Sequence, residues 1–141
     1  MAQVVESMEE AFRFYGDGLG LTLISDNTKL PPGFLDEVLH LPSGTRPRIA
    51  MFNHPQSNGP TVELLEASAK GRALASSPEK LGIFMMAFES DDLQGEIEKV
   101  KGKGFKVISG PVEMKTHLHG KLKAAHIEGP NKTRVELFQK V

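Results

Sequence analysis

Apolar positions along the chain change from helical to strand spacing, and they do so twice. Ser7 and Glu10 have the spacing of a capping box, and the apolar side chains that follow recur every three or four residues. They predict a helix that ends in the glycine-rich segment 16–20, followed by an alternating strand at 21–25. The second half predicts a strand at 82–88, a helix with an apolar stripe, and a strand at 105–109.

The two halves also share short landmarks in the same order. Glu6-Ser7 and Glu89-Ser90 each precede a predicted helix, a glycine and a strand that ends in Ile-Ser. A Val-Glu-Leu triplet follows later in each half, at 62–64 and at 135–137. Recurrence of matched landmarks is the sequence evidence for internal duplication. The chain is therefore predicted to contain two related modules.

Further strands complete each module. The first half predicts a hairpin, with strands Asp36–Leu41 and Arg46–Asn53 around the turn Pro42-Ser43-Gly44, and a closing strand Gly59–Glu66. The second half predicts an extended segment Val112–Met114 and strands Lys121–Glu128 and Thr133–Lys140. Each half is then β-α-β-β-β, an α+β arrangement. We expect one domain, with module one at about 1–66, a linker at about 67–81 and module two at about 82–141. Only Ala2–Val5 precedes the first helix, so the first strand is expected to be thin.

Composition and charge narrow the possible functions. Seventeen Lys and Arg oppose eighteen Asp and Glu, which argues against a nucleic-acid partner held by phosphate contacts. The chain has no cysteine, so disulfides and thiolate chemistry are excluded. No apolar run has the length of a membrane helix, and the acidic start does not match a secretory signal. We expect a soluble, cytoplasmic protein without a membrane partner.

The pattern of two β-α-β-β-β modules with these motifs resembles the vicinal oxygen chelate superfamily, which includes glyoxalases, bleomycin-binding proteins and extradiol dioxygenases. The resemblance rests on the segments 11–21 (AFRFYGDGLGL), 87–93 (AFESDDL), 62–66 (VELLE) and 129–137 (GPNKTRVEL). It implies two paired β-α-β-β-β modules that form a curved, cup-shaped mixed sheet, with helices on the convex side. It also implies a small-molecule ligand in the cup and frequent homodimers.

The resemblance implies a metal site that these residues match only in part. Family enzymes hold a divalent metal through one residue on the first strand of each module and one Glu on the last strand of each. Glu63 and Glu136 occupy the two Glu positions. The histidine position of the second module falls on Met85, a poor ligand for a hard cation, and that of the first module falls at or before Met1. We therefore expect either no cofactor or a divalent metal bound in a non-standard way.

Histidines elsewhere offer an alternative ligand. His126 lies on the predicted strand before Glu136 and could point to the same side as that carboxylate. His117 and His119 are predicted to lie in a loop, and His40 and His54 are expected to be structural or exposed. A non-standard metal site would then contain Glu63, Glu136 and His126.

Two functional hypotheses follow. The first is a protein that binds a small hydrophobic or anionic molecule without the four-ligand metal site, with Arg48, Phe52, Met85 and Arg134 as ligand contacts. The second is a metal-dependent lyase, isomerase or dioxygenase in which Glu136 acts as the catalytic base. Glu63, Glu136 and His126 are the candidate ligands of that second hypothesis.

Overall fold

The computed structural model describes residues 1–27, 48–56, 61–66, 85–116 and 120–141. Backbone contacts divide the chain into two compact units, Met1–Arg72 and Ala73–Val141. The predicted strand Asp36–Leu41, its turn at 42–44 and the predicted linker at 67–81 lie outside the described residues. Each unit is described by itself below.

The first unit contains a four-stranded mixed sheet in the order β1-β4-β3-β2. Strand β1 pairs in parallel with β4, whereas β3 is antiparallel to both of its neighbours. The strands are β1 (Ala2–Val5), β2 (Thr22–Asn27), β3 (Arg48–Asn53) and β4 (Val62–Glu66).

Between β1 and β2 lies helix α1 (Met8–Phe12), which continues as a π-helix at Arg13–Gly18. Ser7 begins the helix, since its hydroxyl accepts a hydrogen bond from the Glu10 backbone N–H at 3.2 Å. The predicted helix is therefore confirmed, but its glycine-rich end winds more loosely than an α-helix. The helix buries one side against the sheet through Met8, Ala11, Phe14 and Tyr15.

The second unit repeats this plan with the strand order β5-β8-β7-β6. Helix α2 (Leu93–Gly102) begins at Asp92, whose carboxylate accepts from the Gly95 N–H at 3.0 Å. A short 3₁₀ turn, Pro130–Lys132, connects the last two strands. The strands are β5 (Met85–Glu89), β6 (Val107–Thr116), β7 (Gly120–Glu128) and β8 (Arg134–Lys140).

Strand register confirms the internal duplication. In the first unit Ala2 pairs with Glu63 across the parallel strands, and in the second Ala87 pairs with Glu136 in the same way. The helix caps Ser7 and Asp92 each lie five residues after the paired alanine. The predicted α+β class, with two β-α-β-β-β modules and mixed sheets, is confirmed.

Among the described residues, each sheet has its helix on one face and no helix on the other. Val62 and Leu64 in the first unit, and Val135 and Leu137 in the second, are buried on the helix side. Because side chains alternate along a strand, Glu63 and Glu136 point to the other side of their sheets. We call that other side the helix-free face of each sheet.

Strand β6 differs from the sequence prediction. The segments expected as a strand at 105–109 and a separate extended segment Val112–Met114 form one strand with two register shifts against β7. Gly110 lies within the second shift, between Ser109 and Val112, with a φ of +99°, a conformation that glycine adopts without strain. The glycine thus lets the strand bend without ending.

No helix among the described residues is long and apolar enough to span a membrane.

Candidate functional site

A histidine and a carboxylate meet at the centre of the helix-free face of the second sheet. His126 on β7 pairs directly with Glu136 on β8, and the imidazole Nε2 lies 3.1 Å from Glu136 Oε2. Their side chains are 24 % and 18 % exposed. We call these two residues the His126–Glu136 dyad.

Small side chains flank the dyad on both sides. The register places Ala87 on β5 beside Glu136, and Ser109 on β6 beside His126. Both flanking residues are exposed. A molecule could therefore reach the two polar groups from the helix-free face without displacing a large side chain at either flanking position.

The residues around the dyad on the same face are mostly apolar. One row further along the strands, Phe138 and Ala124 pair with each other, and Val112 lies next to Ala124. On the other side of the dyad, Met85 pairs with Arg134. The arrangement is a pair of polar groups within an apolar lining, which is the composition of small-molecule sites.

Other charged side chains at the border of this face form ion pairs with each other. Lys140 Nζ lies 2.8 Å from a Glu89 carboxylate oxygen, and Lys106 Nζ lies 3.2 Å from Glu128. The dyad can donate or accept a hydrogen bond at its centre, and Arg134 adds a positive charge one row away.

Glu63 occupies the matching position on the helix-free face of the first sheet. It pairs with Met51 on β3 and with Ala2 on β1. Within the part of the chain that the structure describes, its carboxylate makes no hydrogen bond or ion pair. The Glu63 side chain is half-buried.

Two of the residues expected to contact a ligand lie on the opposite side of the first sheet. Phe52 is 2 % exposed and packs edge-on against Phe12, with 5.5 Å between ring centres. Arg48 points to the same side of β3 as Phe52, and its guanidinium lies 5.1 Å from the Phe12 ring centre. Both residues face the helix rather than the side of Glu63, so we leave them out of the proposed ligand contacts.

Arg48 instead connects three elements of the first unit. Its guanidinium donates two hydrogen bonds to the Asp26 carboxylate, at 2.8 and 2.9 Å, and one to Glu9 at 2.7 Å. These hydrogen bonds hold the pKa of Asp26 and that of Glu9 below their usual values, and they raise the pKa of Arg48. The role supported by these contacts is structural.

We expect Arg48→Met to lower the melting temperature at about pH 6 and to lose this effect in acid. The lowered pKa of Asp26 means that its pairing stabilises the fold above the unfolded pKa of 3.8 and that this contribution disappears as the pH falls through the folded value. Thermal unfolding of wild type and variant at a series of pH values measures the difference. The matched control is Arg13→Met on the exposed side of the π-helix; a pH-independent difference would contradict the prediction.

The donor atoms on the helix-free faces bear on whether a divalent metal fits here. Among the described residues, no group of three or more His, Asp or Glu side chains could hold an ion. The dyad supplies two neighbouring donors, and the thioether of Met85 lies one row away, where a hard cation gains little. Within the described part of each unit, these residues do not fit a resident metal centre.

The remaining histidines divide into two groups. His54 Nδ1 accepts from the Gln56 backbone N–H at 3.3 Å, which is a local structural contact. His40, His117 and His119 lie outside the described residues.

Sequence reasoning missed the flanking pair Ala87 and Ser109. Counting alternate positions from Glu136 along β8 places Arg134 and Phe138 on its face, but it does not show which residue of another strand lies opposite. Ser109 reaches the dyad only because β6 shifts register there. No signal in the sequence identifies that shift beyond the glycine at 110.

Comparisons with known proteins agree with this fold. The model of the Glyoxalase/Bleomycin resistance protein/Dioxygenase superfamily matches residues 1–137. A glyoxalase family protein from Bacillus cereus is 19 % identical with a TM-score of 0.81, and the match covers 100 % of this chain and 91 % of that one. A glyoxalase/dioxygenase from Nostoc punctiforme is 20 % identical with a TM-score of 0.66, over 100 % and 88 % of the two chains.

A further similar structure is described as an antibiotic binding protein from a Streptomyces species. It is 17 % identical with a TM-score of 0.60, and the match covers 100 % of this chain and 93 % of that one. No curated protein matches the chain. At these identities the solved structures support the fold.

Proposed function

Because the chain belongs to the Glyoxalase/Bleomycin resistance protein/Dioxygenase superfamily, we propose that it binds a small, largely apolar organic molecule on the helix-free face of the second sheet. The His126–Glu136 dyad is the polar centre of the proposed site. Binding does not require the family's four-ligand metal. Met85 and Arg134 are the proposed neighbouring contacts, and Arg134 would meet an anionic substituent.

The observation that supports this proposal is the half-buried dyad within an apolar lining. A half-buried polar pair has lost part of its hydration, and a ligand group that hydrogen-bonds to the pair offsets that loss. A ligand with an aromatic body and one polar group satisfies the pair and covers Phe138, Ala124 and Val112 at the same time. The antibiotic binding described for one similar structure belongs to the same class of function.

Calorimetry on protein dialysed against a chelator tests the proposal. We use 1-naphthol as a neutral probe and 1-naphthoate as an anionic probe, because both have a compact apolar body with one polar group. The expected result is saturable binding of both probes at one equivalent, unchanged when Zn²⁺ is added. Absence of saturable binding for both probes would overturn the proposal.

A second function is favoured by the same dyad. The 3.1 Å contact brings together two groups that could bind a metal or exchange a proton, as a lyase, isomerase or dioxygenase requires. In that case Glu136 is the base, His126 and Glu136 are the candidate ligands of the second unit, and Glu63 of the first unit stays a candidate predicted from the sequence. Stoichiometric binding of Zn²⁺, Mn²⁺, Ni²⁺ or Fe²⁺, lost in Glu63→Gln/Glu136→Gln, would establish this alternative and contradict the metal-free proposal.

The homodimeric assembly and the cytoplasmic location expected from the sequence stay predictions. The same holds for the division into one domain with a linker at about 67–81.

A further inference from the structure

Apolar residues extend the proposed site toward one end of the second sheet. Beyond His126 on β7, Ala124 and then Leu122 are buried. The register pairs Val112 of β6 with Ala124 and Met114 with Leu122. Because side chains alternate along a strand, all four lie on the helix-free face that carries His126, and we call these four residues the apolar strip. At the rise of a strand, Leu122 is about 13 Å from His126.

The β6 side of the apolar strip is open to solvent. Val112 is 54 % exposed and Met114 is 42 % exposed. A hydrocarbon tail laid over them removes apolar surface of both the tail and the protein from water. Each methylene that becomes fully buried raises the affinity by up to about fourfold. The strip can therefore contribute to the binding of a ligand that is long enough to reach it.

The row on the other side of the dyad is charged. Arg134 on β8 and Glu128 on β7 are directly paired there, with Met85 at the β5 end of the row. Lys106 Nζ lies 3.2 Å from the Glu128 carboxylate. A hydrocarbon over this row would remove water from charged groups, which costs free energy. A tail that starts at the dyad therefore favours the direction of Leu122.

An ion pair borders the apolar strip on its β8 side. Lys140 pairs with Leu122 across the strands, and its Nζ lies 2.8 Å from a Glu89 carboxylate oxygen. Glu89 in turn pairs with Phe138, the neighbour of Ala124. These charges leave β7 and β6 as the apolar path away from the dyad.

We propose that the ligand of the helix-free face is elongated and amphipathic, with one polar group at the dyad and a linear apolar tail over Leu122 and Met114. This inference rests on the proposed function, because the polar group is the one that the His126–Glu136 dyad binds. It adds the chemical class of the ligand, which is a hydroxyl-bearing head with an unbranched alkyl chain. Met114 and Val112 are then the residues that determine the preference for a long tail.

Calorimetric titration of the full chain with 4-methylphenol and 4-hexylphenol tests this inference. Both probes present the same hydroxyl to the dyad, but only the hexyl chain is long enough to reach Met114. We expect 4-hexylphenol to bind at least about tenfold more tightly than 4-methylphenol. Met114→Gln should reduce this affinity ratio at least about threefold and leave the affinity for 4-methylphenol unchanged. Val112→Thr, which keeps the shape of the side chain, should also reduce the ratio.

The matched control is Leu23→Gln. Leu23 is likewise 42 % exposed, but it pairs with Phe52 on the helix side of the first sheet, so the affinity ratio should not change. A ratio near one in the wild type, or a ratio that neither Met114→Gln nor Val112→Thr reduces, would overturn the inference. An equal reduction in Met114→Gln and Leu23→Gln would also overturn it.

Binding of 1-naphthol separates the failure of this inference from that of the proposed function. Saturable binding of 1-naphthol and 4-methylphenol without a gain from the hexyl chain would overturn the elongated ligand alone. Absence of saturable binding for 1-naphthol and both phenols would overturn the proposed function, and this inference with it.

Discussion

Gly110→Ala should lower the free energy of unfolding by about 3 kcal/mol or more, because two unfavourable effects combine. The φ of +99° is a conformation that residues with a Cβ rarely adopt. A Cβ built at this position would lie 2.6 Å from the Ala124 carbonyl oxygen and 2.7 Å from the Ala125 Cα. Both are backbone atoms of β7, which cannot move without disturbing the strand that carries His126.

Chemical denaturation measures this effect, with two other glycines as controls. Gly104 has a φ of +83° with open space around it, so Gly104→Ala isolates the conformational cost. Gly102 lies in the last turn of α2 with open space and no positive φ, so Gly102→Ala should be within about 1 kcal/mol of wild type. A Gly110→Ala variant no less stable than Gly104→Ala would contradict the close approach of β6 to β7.

Glu136→Gln should change the affinities of the two naphthalene probes in opposite directions. The 1-naphthol hydroxyl can donate to the carboxylate, and a hydrogen bond to a charged group contributes about 1.5–3 kcal/mol. We therefore expect the affinity for 1-naphthol to fall about tenfold. The affinity for 1-naphthoate should rise, because the substitution removes a negative charge that opposes the ligand carboxylate.

The opposite signs distinguish a ligand contact from a structural role. A residue that only supports the sheet would weaken both probes together when it is changed. Glu98→Gln on the exposed side of α2 is the matched control and should leave both affinities unchanged. Parallel losses for 1-naphthol and 1-naphthoate in Glu136→Gln would contradict the proposed contact.

Most of the fold could be predicted from local patterns. The Ser7 cap, the apolar stripe of α1 and the repeated Val-Glu-Leu triplets each depend on neighbours in the sequence, and each is present in the structure. In the second half the sequence offers N-cap oxygens at Ser90, Asp91 and Asp92, and the structure shows that Asp92 begins the helix, two residues after the Ser90 that matches Ser7. The Ser90 hydroxyl accepts from the Asp92 N–H instead, and both residues are good caps by composition.

The candidate site was harder to predict, because it depends on pairing between distant strands. Alternation placed Arg48 and Phe52 on one face of β3, but only the pairing of Met51 with Glu63 shows that this face is the helix side. The sequence placed His126 on the strand before Glu136 and on the same side, but only the β7–β8 register shows that the two residues are directly paired. A shift of one residue would have turned its side chain to the helix.

The most direct test of the ligand face is a map of amide chemical shifts. Uniformly ¹⁵N-labelled protein, dialysed against a chelator, is titrated with 1-naphthol, and shift changes are assigned along the chain. We predict saturable changes concentrated at Met85–Glu89, at Arg134–Phe138 and around His126. Changes confined to the helix side of the second sheet, or saturable changes that require added metal, would contradict a metal-free ligand site at the dyad.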